Sequence, residues 1–359
     1  MAQPSWDDDM RSAAIRTLDS RHWVKGPEGQ AFGEEFATFC GALGGTPCQS
    51  GSVALWGALN LLGIGPGDEV LVPSLTYVAT ATCVNLVGAT PIFVDVEPDH
   101  WCVDVDALEA ARTPKTKAVI AVHLFGQMSD ERLIGWSRKH GIAYIEDAAQ
   151  AHGAVAVNGV KAGAVGDVAC FSFYPSKNLA VGGEGGMMVT NRSDLLPRMK
   201  ALVNHGQDAE LEAKKLGSNF RMSEVSAAIG RVQLARLPSW LNRRRSIAQH
   251  YTDAFAQLRG IVTPTSRPGT LHAWHQYCLL ADDPDGLQKT LDNHDVDSRV
   301  YYSVPCHRQE VYSGHPQHTD TLPVTDDIAH RLVAIPLFHE MTDEDVTRVV
   351  SAVQSFAGS

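Results

Sequence analysis

The chain is predicted to be an α/β protein with two domains. A large domain holds a mostly parallel sheet between helices, and a smaller α+β domain follows it. Three observations lead there. Short apolar runs alternate with helical patterns from about residue 48 to 191, as in parallel sheets covered on both faces. The character changes after Asn191 to a long helical stretch and then to short segments rich in Pro, His and Asp. At 359 residues, the chain is also too long for a single small core.

Taken in order, Ser52 to Leu62 is helical and is opened by Gln49-Ser50-Gly51. Glu69 to Pro73 (EVLVP) is a buried strand, Tyr77 to Val87 a helix and Pro91 to Val96 a strand. Ala118 to Leu124 is a strand, Asp130 to His140 a helix and Ala143 to Asp147 a strand. Val168 to Phe173 and Gly186 to Thr190 are further strands. Ser223 to Leu258 reads as a long helix broken at Pro238, because proline lacks the N–H that a helix interior needs. Thr342 to Phe356 is a last helix, with Asp343, Glu344 and Asp345 near the positive end of its dipole. The expected division is 1–240, with the N-terminal segment 1–25 included, and 241–359.

Composition narrows the function. Thirty Lys and Arg against 41 Asp and Glu give a net charge of −11, which argues against nucleic acid as a partner. Arg243, Arg244 and Arg245 form the longest basic cluster and read as a solvated helix face. Seven scattered cysteines without a CxxC fit a cytoplasmic protein with reduced thiols. The N-terminus has no signal-peptide pattern, and no apolar run approaches the ~20 residues that span a bilayer, so no membrane role is expected. Fifteen histidines invite a metal hypothesis, but there is no HExxH, and His315 and His318 have no cysteine nearby, so no metal is expected.

In an open parallel sheet, ligands bind beyond the C-terminal ends of the strands. Three places there hold reactive side chains. Lys177 follows strand 168–173 and precedes Gly182-Gly183-Glu184-Gly185-Gly186, where backbone can approach a bound group closely. A partly desolvated lysine loses its proton and attacks a carbonyl carbon, although a surface lysine would look the same in sequence. Asp147 ends the strand AYIED, where its carboxylate can keep the ring nitrogen of pyridoxal phosphate protonated, or simply cap a helix. Gln150, three residues on, can donate to the cofactor's ring oxygen or complete a capping pair. Gly51 and Ser52, at a helix start, offer free N–H groups suited to a phosphate, though Ser50 is also an ordinary N-cap residue. Ser172 is a second phosphate donor. Tyr77, just past a strand, can stack on an aromatic ring or pack into the core.

The runs GDEVLVPSLTYVATATCV, IEDAAQAHGA, FSFYPSKNLAVGGEGG and LGSNFRMSEVSAAIGRVQL, in this order and spacing, resemble the DegT/DnrJ/EryC1/StrS family of sugar aminotransferases. The likeness runs from about residue 22 to 355. It implies a fold-type I transferase with a seven-stranded, mostly parallel sheet and pyridoxal 5'-phosphate as cofactor. On matching residues, it makes Lys177 the Schiff-base lysine and proton shuttle. Asp147 becomes the partner of the ring nitrogen, Gln150 that of the ring oxygen, and Tyr77 the stacking ring. Gly51, Ser52 and Ser172 become the phosphate site. It also implies that Asn219 reaches the cofactor phosphate of a neighbouring subunit, in a homodimer with shared active sites. His307, in VYYSVPCHRQEVY, matches a segment near the sugar site, and Lys25, in WVKGPEG, is placed to meet a substrate phosphate or stay on the surface.

Members with His in place of the lysine catalyse dehydration, so Lys177 favours transamination. The implied reaction moves an amino group from an amino acid, L-glutamate by the resemblance, to a keto group of a nucleotide-linked sugar. FSFYPSKN resembles members acting on 3-keto sugars and GEGG those acting on 4-keto sugars, which leaves the ketone position open. Two rivals stand beside this reading. One is an enzyme of the same scaffold acting on a cyclitol or non-sugar ketone. The other is a regulatory protein that keeps the cofactor without turnover.

Overall fold

The computed structural model describes residues 4–207, 211–314 and 321–357; His315 and His318 lie outside them. Seven strands form the main sheet: β1 (Gly44–Cys48), β2 (Glu69–Pro73), β3 (Thr90–Val94), β4 (Thr116–Val122), β5 (Ala143–Asp147), β6 (Val168–Ser172) and β7 (Gly186–Thr190). Their order is β1-β7-β6-β5-β4-β2-β3. All neighbours pair in parallel except at β7, which runs antiparallel to both β1 and β6. The six strands expected from apolar runs are present. β1 is an addition, written GGTPC, with no apolar run to announce it.

Helices α1 (Asp8–Ser20), α2 (Pro27–Cys40), α3 (Gly51–Leu61), α4 (Ala79–Leu86), α5 (Val105–Ala111), α6 (Arg132–His140) and α7 (Leu196–Leu202) accompany this sheet. Alternate strand residues face opposite layers. Val70, Val72, Ile120 and Ile145 pack with Ala54, Ala58 and Leu59 of α3. Leu71, Val119 and Tyr144 pack with Leu108 of α5 and Leu133 and Trp136 of α6. Ala169, Phe171, Met187 and Val189 face Phe32 and Phe36 of α2.

The long helix α8 (Glu224–Phe255) is a correction: it is not broken at Pro238 but runs through it. Proline leaves the Leu234 carbonyl without its intrahelical donor, yet tertiary packing on both sides outweighs that loss. Leu234, Leu237 and Leu241 sit in the large-sheet core, whereas Ile247, Ala248, Tyr251 and Phe255 sit in a second one.

That second core belongs to a three-stranded antiparallel sheet of β8 (Ile261–Val262), β9 (Tyr277–Ala281) and β10 (Leu332–Ile335), ordered β10-β9-β8. Helices α9 (Pro284–Asn293), α10 (Pro323–Arg331) and α11 (Asp343–Ala357) complete this part. We propose the division 1–240 and 241–359 on this change of core partway along α8.

The arginine cluster is a second correction, because it is not a solvated face. Successive helix positions point about 100° apart, so the three side chains diverge. Arg244 is buried and its Nη1 donates to the carbonyls of Trp274, His275 and Leu337. Arg245 donates to the carbonyls of His272 and Gly153. Arg243 pairs with Asp343. All seven cysteines are buried and free. Among the described residues, no helix is long and apolar enough to cross a membrane.

Candidate active site

The C-terminal ends of β1, β2, β4, β5 and β6 lie along one edge of the sheet. β7 runs the other way, so its start, Gly186, is in register with both Cys48 and Ser172. The turn after β1, the Asp147 terminus, the Lys177 loop and the glycine run are therefore brought to one crevice.

Asp147 is buried at the end of β5. Its Oδ2 accepts from the Thr80 hydroxyl at 2.8 Å, and its Oδ1 from the Ala149 N–H at 3.2 Å. Burial raises its pKa, and these two hydrogen bonds and the positive charge of Lys177 offset that only in part. Lys177 shows the complementary effect: burial lowers its pKa to about 8, against the opposing pull of Asp147. The two groups thus stand within each other's field, and both lean towards their neutral forms.

Two buried imidazoles also lie within the field of the lysine. His152 and His275 are fully enclosed, and burial, then the nearness of Lys177, keeps both below their ordinary range, His152 at about 3. The next residue, Asn178, donates to the Ala273 carbonyl and lies 3.4 Å from Nδ1 of His275. The flanking glycine run needs its glycines: Gly182 and Gly183 have φ of 76° and 158°.

At the start of α3, the Ser50 hydroxyl accepts from the Val53 N–H, which leaves the N–H groups of Gly51 and Ser52 outside that cap. A Cβ on Gly51 would lie 2.8 Å from the Ser172 Cβ. The absence of a side chain therefore lets Gly51 and Ser172 share one cradle. An anion there faces backbone N–H groups, a serine hydroxyl and the positive end of a helix dipole. Together with the opposed Asp147 and Lys177, this donor set fits pyridoxal phosphate.

The other expected residues divide. Tyr77 is 63% exposed, so the core-packing alternative fails. Its turn is tied to the site because Thr80, three residues on and hydrogen-bonded to the buried Thr76 hydroxyl, bonds Asp147. Asn219 is exposed, and the carbonyl of the adjacent Phe220 accepts from the Gln49 N–H at 2.8 Å, which puts it beside the phosphate cradle. Gln150 is buried, its Oε1 accepting from the Phe125 N–H and its Nε2 donating to the Tyr302 hydroxyl. Lys25 is exposed with φ of 56° just before α2, whose first N–H groups are capped by the Glu224 carboxylate. His307 is enclosed, 2.6 Å from the Ser74 hydroxyl and 3.4 Å from an Asp326 carboxylate oxygen. These contacts join its ring to the loop after β2.

Sequence reasoning passed over Thr80 and Tyr302. Both lie in runs quoted above, Thr80 in GDEVLVPSLTYVATATCV and Tyr302 in VYYSVPCHRQEVY, but their partners lie 67 and 152 residues away.

The comparisons agree with this geometry. The model of the DegT/DnrJ/EryC1/StrS aminotransferase family matches residues 4–354, and the chain belongs to that family. It is 39% identical to the dTDP-3-amino-3,4,6-trideoxy-alpha-D-glucose transaminase of Streptomyces venezuelae, over 96% of this chain and 91% of that one. It is 37% identical to the UDP-N-acetyl-3-dehydro-alpha-D-glucosamine 3-aminotransferase of Acidithiobacillus ferrooxidans, over 97% and 93%. The solved structure of S. venezuelae DesV superposes with a TM-score of 0.95 at 36% identity, covering all of both chains.

Proposed function

We propose that the chain is a pyridoxal 5'-phosphate-dependent aminotransferase that moves an amino group from L-glutamate to the 3-keto group of a nucleotide-linked sugar. The observation that carries this reading is that Asp147 and Lys177 lie within each other's field, each shifted towards neutrality, at the sheet edge where α3 opens a phosphate cradle. The ketone position is supported by the names of the two relatives, both of which specify position 3.

When bound, the cofactor supplies a carbonyl carbon that captures amines and a ring that delocalises negative charge. Lys177, neutral for part of the time near pH 8, would hold the cofactor at its carbonyl carbon and would accept and return a proton at Nζ. Asp147 holds the proton on the ring nitrogen. Gln150 would donate to the ring oxygen, and Tyr77 would stack on the ring. Gly51, Ser52 and Ser172 bind the phosphate. Asn219 reaches the partner subunit's cofactor phosphate, so the working unit is a homodimer. Lys25 is placed for a substrate phosphate. His307 is assigned a positioning role through Ser74. A cytoplasmic location fits seven free, buried thiols.

A single-turnover assay tests the reading. Excess glutamate should release one 2-oxoglutarate per bound cofactor, and a nucleotide-linked 3-keto sugar should then take up the nitrogen faster than its 4-keto isomer. A protein that binds the cofactor but releases no 2-oxoglutarate would be the regulatory rival instead.

A further inference from the structure

Gln150 is held from two sides. A backbone N–H can only donate, so the Phe125 N–H at 2.6 Å fixes which end of the amide is oxygen. Nε2 must then donate one hydrogen to the Tyr302 hydroxyl, 2.8 Å away. The amide is planar, so fixing one N–H fixes the direction of the other, which neither contact uses.

Both anchors come from unusual backbone. Phe125 has φ of 54° and Tyr302 φ of 58°, a region that non-glycine residues rarely adopt and that surrounding structure must impose. Their rings stack at 5.9 Å and 24°. Tyr302 lies on a strap whose ends are tied to different parts of the molecule. Arg299 exchanges backbone hydrogen bonds with Ala334 of β10, and the Cys306 N–H donates to the Ser74 carbonyl beyond β2. Burial raises the Tyr302 pKa, so its oxygen stays a neutral phenol at working pH.

We propose that Tyr302 is a positioning residue: its hydroxyl orients the Gln150 amide so that the second N–H points at the cofactor's ring oxygen. The proposal rests on the assignment of Gln150 to that oxygen. It adds that the strap from the smaller domain sets the cofactor's electronic state through one hydroxyl. A donor to the ring oxygen stabilises negative charge there and weakens that oxygen's hold on the proton it shares with the lysine–cofactor linkage. Loosening the donor should raise the pH at which the linkage loses that proton.

The test is a pH titration of the visible absorption of the cofactor-loaded protein for wild type, Tyr302→Phe, Gln150→Glu and the double variant. Tyr302→Phe keeps the ring stack, and Gln150→Glu keeps an oxygen for the Phe125 N–H while having no N–H to give. Melting of the cofactor-free proteins reports whether each is folded. Tyr302→Phe should raise the midpoint by about half a pH unit or more, a hydrogen bond's worth of shift. Gln150→Glu should raise it further, and adding Tyr302→Phe to it should change it by less than about 0.2 unit, because the two act as one. If Gln150→Glu loads too little cofactor to titrate, Gln150→Met takes its place in the cycle. An unshifted Tyr302→Phe midpoint, or a shift of equal size in both backgrounds, would overturn the proposal while leaving Gln150 at the ring oxygen. An unshifted Gln150→Glu midpoint would remove the assignment of Gln150 itself, and the proposal with it.

Discussion

Replacing Thr80 by Val isolates one bond of the site. The Thr80 hydroxyl has a single hydrogen and stands 2.8 Å from Asp147 Oδ2 and 3.0 Å from the Thr76 hydroxyl. An ionised carboxylate can only accept, so Thr80 donates to Asp147 and Thr76 donates to Thr80. Valine keeps the shape and removes the donor. A hydrogen bond to a buried charge is worth about 1.5–3 kcal/mol, and one to a neutral group about 1 kcal/mol. The sign with pH follows from linkage. Burial raises the folded pKa of Asp147, so ionising it costs stability as pH rises from the unfolded value through the folded one. Thr80 reduces that cost. Its loss is therefore felt most above the folded pKa and shrinks below it, where the folded carboxyl is neutral. In the cofactor-free protein at fixed concentration, the melting temperature should drop by about 2–4 °C at pH 8 and by about half as much at the acid end of the range. A drop of equal size at both ends would show that the Thr80 bond does not bear on the charge of Asp147, and the argument would fail.

In the cofactor-free protein, the acylation rate of Lys177, read by peptide mapping, should rise through a midpoint near pH 8, as burial of its ammonium requires; a midpoint above 10 would contradict that. Asp147→Asn keeps the Ala149 contact through its oxygen and can turn its amide to Thr80, so cofactor occupancy should survive while kcat falls at least about 100-fold, roughly 2.7 kcal/mol of barrier. Near wild-type kcat would reduce Asp147 to a capping residue. Mixing Lys177→Ala and Asn219→Ala homodimers under subunit exchange should restore about a quarter of all sites, because each hybrid dimer rebuilds one intact site from two chains. No recovery in proven hybrids would place Asn219 in its own chain's site, where its neighbour Phe220 already meets Gln49.

The strands were legible because a parallel sheet covered on both faces writes its strands as continuous apolar runs. EVLVP and AYIED begin and end in the structure where those runs do. β1 was not, because GGTPC has no such run. Pro47 is tolerated there because β1 lies at the sheet edge and pairs only with β7. The same local reasoning broke α8 at Pro238 and put Arg244 in solvent. Propensity cannot see that α8 is gripped by two cores, or that three carbonyls from distant loops converge on one guanidinium. Lys177 and Asp147 were legible because each follows a strand end and the sheet rule alone brings them together. Thr80 and Tyr302 were not, since each reaches the site through a contact that no sequence spacing encodes. The family likeness led to His307 as a residue near the sugar, and the contacts of its ring with Ser74 and Asp326 could not be read from the sequence.

Two neighbouring carboxylates on β5 show how one strand prepares both a foundation and a reactive edge. Glu146 and Asp147 point to opposite faces, as successive strand residues must. The Ser129 N–H donates to Nδ1 of His123, so that nitrogen is an acceptor and the proton sits on Nε2, which donates to Glu146 at 3.0 Å. The N–H groups of Gly163, Val165 and Gly166 supply three more donors to the same carboxylate. Burial alone would raise the Glu146 pKa, but the His123 hydrogen bond, then these backbone donors, bring it below the ordinary value. A carboxylate has about four acceptor sites, and those of Glu146 are filled. Its charge is spent on closing the 163–166 loop against the sheet. Among the described residues, Asp147 receives only two donors for an equally buried charge, and its pKa goes up instead of down. The difference in sign between adjacent residues follows from that difference in donors. Asp147 thus keeps both the acceptor capacity and the energetic reason to take a positively charged partner, and it does so at the sheet edge, within the field of Lys177.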